Sequence, residues 1–339
     1  MWCRILTGQK LTKEPLDQLR VLCAFLEAMK LYVEPPLINP AVKYCETLTP
    51  VLSAILTSFV NNSHITEQVC RCYRTMLISY RNNMISLLPS LATQLVTGFE
   101  SSHDGVFLYV TSSIIREFAD EADNDPSLKQ GIYECFQRQS IALLRFLSGN
   151  PVRSIPDVLE DFFRLAIDAE MYYPDLFLVS ELFTHIFDAA IVALDSEVMG
   201  TLAPVLHFLR DILDFGKASA DTSAEPPPMA VAVQGVIAEK GEILVTKIIG
   251  GLTSGFPRDC IPDGSGVLLD ALSMLPEPAA RWIMKAIHML PSGSVSPPEM
   301  QKLASGLESG LGREDFRKVR TLLQGGLHGP YIQTVETYG

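Results

Sequence analysis

The chain is poor in the residues and motifs that build active sites. Its 339 residues hold six histidines (His64, His103, His185, His207, His288 and His328), all distant from one another in sequence. A metal or proton-transfer cluster would therefore have to be assembled by the fold alone. A histidine such as His207, between Leu206 and Phe208, reads as a satisfied structural residue before it reads as a ligand. There is no Walker loop, HExxH, GxSxG or glycine-rich dinucleotide fingerprint, and Gly264, Ser265 and Gly266 read as a Pro/Asp/Gly loop with no strand before it. Seven cysteines (Cys3, Cys23, Cys45, Cys70, Cys72, Cys135 and Cys260) are an odd number scattered through apolar stretches, with no CxxC pair to grip zinc. Reduced core thiols of an intracellular protein fit best. No uninterrupted run of 18 apolar residues and no signal-type N-terminus occurs, which argues against membrane spanning and secretion. The acids from Glu117 to Asp125 imitate a calcium loop, but the sixth position counted from Asp123 is Leu128, where the turn needs glycine. An enzyme, a cofactor and a metal are all unexpected.

What is present is apolar. Hydrophobic residues make up 47% of the chain, enough for a large core. The net charge of −12 is concentrated: residues 101–228 carry 8 basic and 21 acidic side chains, against 9 and 7 in residues 1–100 and 10 and 11 in residues 229–339. Such a field repels nucleic acid and the anionic leaflet and steers basic partners, although ordinary solubility charge gives the same totals.

Almost every segment shows the 3.6-residue period. In residues 65–80 the apolar set Ile65, Val69, Cys72, Tyr73, Met76, Leu77 and Tyr80 forms one stripe. Helix starts recur where Asn39 precedes Pro40, Asp125 precedes Pro126, Ser296 precedes Pro297, and Ser154 stands three residues before Asp157. The pattern predicts helices over 13–32, 40–60, 64–82, 84–99, 105–119, 126–148, 156–171, 180–194, 197–215, 229–250, 266–275, 278–290, 297–309 and 313–325. Pro50, Pro89 and Pro204 fall early in or inside them. Taken in pairs, the helices repeat every ~40 to 50 residues, the unit of HEAT and armadillo arrays. The helix over 156–171 carries Val158, Leu159, Phe162, Phe163, Leu165, Ala166 and Ile167 on more than one face, as a helix packed on both sides requires. The expected fold is all-α, a right-handed superhelical α-solenoid of HEAT-like pairs. Its expected organisation is an array over 1–216, an exposed Pro/Ser-rich loop over 217–228 and further repeats with a cap over 229–339.

Two constellations carry binding chemistry. Arg71, Arg74 and Arg81 fall within an arc of ~80° opposite the apolar stripe, a ridge able to clamp phosphates or carboxylates. Asp157, Glu160, Asp161 and Asp168, spaced i, i+3, i+4, i+11, form a row able to accept arginine forks. On pattern alone a solvated helix face is the better explanation of either, and Asp157 also suits a first helical turn without any partner.

The strings ITEQVCRCYR (65–74), GVFLYVTSSIIREF (105–118), IPDVLEDFFRLA (155–166) and VLHFLRDIL (205–213) resemble, in the same order, the C-terminal part of the transportin-SR receptors of the importin-β superfamily and their fungal relatives. The resemblance implies a HEAT solenoid that binds cargo on its C-terminal arch and releases it when RanGTP binds an N-terminal arch. It also implies nucleoporin contacts and shuttling between nucleus and cytoplasm. That N-terminal arch has no counterpart here, so a fragment or truncated gene model is expected, one that does not itself bind RanGTP. The family's arginine helix matches Glu67 to Ile78, with Arg71 and Arg74 on its phosphoserine-contacting positions. Gln68 and Ile78 depart from it, with Arg81 one turn later as the compensating position. Glu160 and Asp161 match an acidic pair near the basic cargo segment, with Asp157 beside them. The expected cargo is an arginine-rich (RS or RGG) RNA-binding or splicing protein. The competing readings are a HEAT scaffold subunit of a cytoplasmic complex and an exportin.

Overall fold

Helix starts fall where a capping side chain meets a proline. Asn39 accepts from the Ala41 N–H at 2.9 Å ahead of Pro40, and Asp125 accepts from the N–H groups of Ser127 and Leu128 ahead of Pro126. Asp125 thus serves as a helix cap. The computed structural model describes residues 15–29, 39–217 and 226–291, with positions 298, 301 and 305. The predicted helices over 297–309 and 313–325, with the Ser296–Pro297 start, lie outside that set except for those three positions, as do residues 218–225 of the predicted loop.

The described residues are helical, with no strand among them. They form α1 (Pro15–Ala28), α2 (Pro40–Phe59), α3 (Ser63–Tyr80), a 3-10 turn (Arg81–Leu87), α4 (Leu88–Ser102), α5 (Val106–Glu117), α6 (Ala119–Asn124), α7 (Pro126–Gly149), α8 (Pro156–Tyr172) and the single turn α9 (Pro174–Phe177). There follow α10 (Glu181–Ala193), α11 (Met199–Lys217), α12 (Pro228–Gly250), α13 (Ile261–Met274) and α14 (Pro276–His288).

Two compact units divide these helices. The first runs to Asn150 and adds Asp157–Leu176. In it α1, α3 and α5 pack in one row, and α4 and α7 in a second beside it. The second unit takes Pro151–Pro156 and the chain from Phe177 on. Here α11 packs on α13, and α10, α12 and α14 form the other row. Two-row stacking of consecutive helices is the architecture of an α-solenoid, in which each pair buries its apolar faces on its neighbours. In α8, Leu159, Phe162, Phe163, Leu165, Ala166 and Ala169 are all fully buried, as its many-sided apolar pattern demands.

Several helix ends differ from the sequence expectation. The helix expected to run to residue 82 stops at Tyr80. Arg81 takes φ 40°, its N–H closes onto the Leu77 carbonyl, and Asn83 Nδ2 donates to the Tyr80 carbonyl at 3.2 Å, so local hydrogen bonds replace the next helical turn. Pro89 therefore stands in the first turn of α4, where a missing donor costs nothing, while Pro50 and Pro204 stay inside α2 and α11. Ser154 ends a 3-10 turn and gives its hydroxyl to the Pro151 carbonyl at 2.7 Å, and α8 begins at Pro156. Helix α13 begins at Ile261 and so includes Gly264, Ser265 and Gly266. Their lack of bulk serves packing: a Cβ on Gly264 would lie 3.1 Å from the Phe256 ring, and one on Gly266 would lie 2.7 Å from the Arg210 guanidinium.

Candidate functional site

A cleft of about 850 Å³ opens in the first unit along α1, α3, the start of α5 and α8. Helix α3 turns Val69, Cys72, Tyr73, Met76 and Leu77 into the core, which leaves Arg71 exposed and Arg74 half-buried at the cleft. Arg71 pairs with Glu67 one turn back at 2.8 Å, an exposed helix pair worth only ~0.3 to 0.5 kcal/mol. Arg74 lies over the ring of Tyr109, 5.2 Å from its centroid. Its Nε is buried without a hydrogen-bond partner, and the guanidinium has no ion pair among the described residues.

Carboxylates also line the cleft. Asp104 caps the start of α5, accepting from the Val106 N–H at 3.1 Å. Asp161 of α8 lies against Gly105, so closely that a Cβ there would stand 2.2 Å from its Oδ2. Only glycine permits this approach. Burial pushes the Asp161 carboxyl up to about 6, with Arg164 opposing and Glu160, Asp104 and Asp157 adding to the rise. Asp161 also has no ion pair among the described residues. The cleft thus offers a guanidinium held over an aromatic ring and a partly desolvated carboxylate, neither of them in an ion pair among the described residues.

The structure brings Arg71, Arg74 and Asp161 together at this cleft and leaves the other sequence candidates off its lining. Arg81, past the end of α3, binds Glu117 at 3.0 Å. Glu160 pairs with Arg164 at 2.6 Å, and Asp157 is exposed on the first turn of α8. Asp168 is buried: it accepts from the Ser112 hydroxyl and from Arg116 at 2.8 Å, a structural clamp between α5 and α8. His207 lies exposed in the second unit, 3.3 Å from Asp263. Sequence reasoning missed Tyr109 and Gly105. Tyr109 stands out of phase with the buried Phe107, Leu108 and Val110 in the α5 string, and that phase shift was the available clue. Nothing local marked Gly105.

Helices stacked in two rows define the chain as an α-solenoid, and its first unit opens a cleft lined by charged groups of both signs. Residues 39–144 match the family model of the Transportin-3/Importin-13 fourth TPR domain. The chain is similar to mRNA transport regulator MTR10 of Saccharomyces cerevisiae, 26% identical over 333 residues that cover 90% of this chain and 34% of that protein. It is similar to an uncharacterized protein of Schizosaccharomyces pombe, 25% identical over 319 residues, 91% of this chain and 33% of that one. Human importin-13 is 25% identical over 309 residues, 86% of this chain and 29% of its own. A solved structure of importin-13 in its cytosolic state superposes with a TM-score of 0.77 at 14% identity, over 95% of this chain and 36% of that chain, and so shares the fold. The chain spans about a third of the length of the curated relatives it matches.

Proposed function

We propose that this chain is the cargo-holding part of an importin-β-type nuclear transport receptor, and that it carries arginine-rich RNA-binding proteins into the nucleus. The observation that carries the reading is the two-signed cleft, with Arg74 and Asp161 both uncommitted beside Tyr109. Arg71 and Arg74 receive phosphate or acidic groups of the cargo. Asp161 receives a cargo guanidinium that Tyr109 can also stack against, and Glu160, Asp157 and Arg81 lie outside the cleft as long-range charge. The names and helical architecture of the relatives support a transport role; Ran GTPase and nucleoporin binding, and shuttling between nucleus and cytoplasm, belong to the same proposal for the whole receptor.

The test is a fluorescence-anisotropy titration with an arginine-serine repeat peptide, phosphorylated and unphosphorylated, at ~0.15 M salt, where screening acts over only ~8 Å. Replacing Arg71 and Arg74 together by alanine is expected to weaken the phosphorylated peptide most, and Asp161→Lys the unphosphorylated one. Removing one desolvated, charge-assisted hydrogen bond should cost ~1.5 to 3 kcal/mol, against ~0.2 to 1 kcal/mol for an exposed pair. Variants that bind both peptides as well as the parent chain would sink the assignment.

A further inference from the structure

The cleft has one buried polar group that the charged contacts do not use. Gln68 of α3 lines the cleft with only 8% of its surface exposed. Its side-chain amide has no hydrogen-bond partner among the described residues. Gln139 of α7 shows the other way such a side chain can stand: it is fully buried and both of its amide atoms are shut off from solvent, whereas those of Gln68 are not. The Gln68 amide therefore opens into the cleft. An amide holds an acceptor oxygen and a donor nitrogen side by side in one plane. A phosphate or carboxylate only accepts, so it would serve the nitrogen and leave the oxygen unpaired. A guanidinium only donates, so it would do the reverse. Leaving either atom buried and unpaired is costly. Another amide matches both at once, either the N–H and C=O of a peptide main chain or the side chain of an Asn or Gln.

We infer that Gln68 grips the main chain of an extended cargo segment, its oxygen accepting from a peptide N–H and its nitrogen donating to the C=O of the same residue. This rests on the cargo reading of the cleft and adds a contact that no cargo side chain has to supply. Its neighbours on the same face are already engaged: Thr75 Oγ1 stands 3.3 Å from Cys23 Sγ, and Arg71 pairs with Glu67. Arg71 and Arg74 follow Gln68 along α3, ~4.5 Å and ~9 Å further up the axis at ~1.5 Å per residue. An extended chain rises ~3.3 Å per residue. A segment anchored at Gln68 and running along α3 therefore brings the side chains of its next few residues level with both guanidiniums. The anchor fixes the register, and with it which cargo groups the arginines meet.

The test is an amide-to-ester scan of a peptide of arginine and serine with a single phosphoserine, titrated by fluorescence anisotropy into the full chain. Every amide in that sequence is main chain, and the one phosphate keeps the peptide from sliding in register. Each ester replaces one peptide N–H by oxygen and leaves the side chains in place. One position is expected to bind ~5- to 30-fold more weakly than the all-amide peptide, the cost of an unpaired buried acceptor, while most others stay close to it. Gln68→Met, similar in shape but without polar ends, should weaken the all-amide peptide by a similar factor and lose its sensitivity to that ester. The loss should be the same at ~0.05 and ~0.3 M salt, because both partners are neutral. Gln68→Ala repeats the comparison if Gln68→Met does not fold. A flat scan on a parent chain that binds the peptide overturns the inference and leaves the cargo reading standing, as does a variant with the same ester-sensitive position as the parent. A parent chain that binds no arginine-serine peptide overturns both.

Discussion

Asp161 shows how a single side chain can be set against its own ionisation. Desolvation against Gly105 raises its carboxyl from 3.8 to about 6. The folded state therefore holds the proton more tightly than the unfolded chain does. The stability linked to that proton is fully present below about pH 4 and is lost as pH rises toward 6. Asp161→Asn, which keeps the shape without the charge, should be more stable than the parent at pH 7.5 and equal to it near pH 4. Urea midpoints at the two pH values measure this, and equal midpoints at both would mean that the carboxylate is solvated where it stands. The arginines were legible in sequence as a ridge, because Arg71 and Arg74 share one helix with a clear apolar stripe. Tyr109 and Gly105 were not, because they join Arg74 and Asp161 only when α5 packs on α3 and α8 comes up to α5, across 30 residues or more of chain.

At the scale of the element, caps and close approaches decide where helices begin and how near they come. Asp125 takes two N–H groups at the start of α7, so Asp125→Ala should cost ~1 kcal/mol, read as a lower thermal midpoint without change in helical circular dichroism at low temperature. Gly98 is where α4 meets α5: a Cβ there would lie 2.4 Å from the Phe107 ring, which is fully buried and has nowhere to move. Gly98→Ala should therefore destabilise by ~1 to 3 kcal/mol of overpacking, and Gly98→Ala with Phe107→Leu should recover part of that loss. Recovery in the double variant separates crowding from any effect of glycine on the helix itself. Proline-marked starts were readable because the cap and the proline are adjacent in sequence. The end of α3 was not, since residues 81–87 carry an acceptable helical pattern and yield to local side-chain and backbone hydrogen bonds.

For the molecule as a whole, the net charge of −12 and its concentration in residues 101–228 set the long-range field. If the cleft receives basic tails, that field should speed their arrival. Raising salt from ~0.05 to ~0.5 M is then expected to slow association of an arginine-rich peptide by ~10-fold or more, with a smaller change in dissociation. Stopped-flow fluorescence checks it, and a salt-independent on-rate would remove steering from the account. The sequence by itself determined the helical class, the pairwise period, the many-sided burial of α8 and the sign of the field, because periodicity, capping and charge are properties of neighbouring residues. Only the tertiary structure decided which charged groups remain free. Ion pairing across helices withdrew Arg81 to Glu117, and burial turned Asp168 into a clamp on Ser112 and Arg116, whereas the pairing of Glu160 with Arg164 one turn on was already set by their spacing. What was left at the cleft, Arg74 over Tyr109 and Asp161 against Gly105, follows from which side chains of stacked helices come close, and no spacing along the chain encodes that approach.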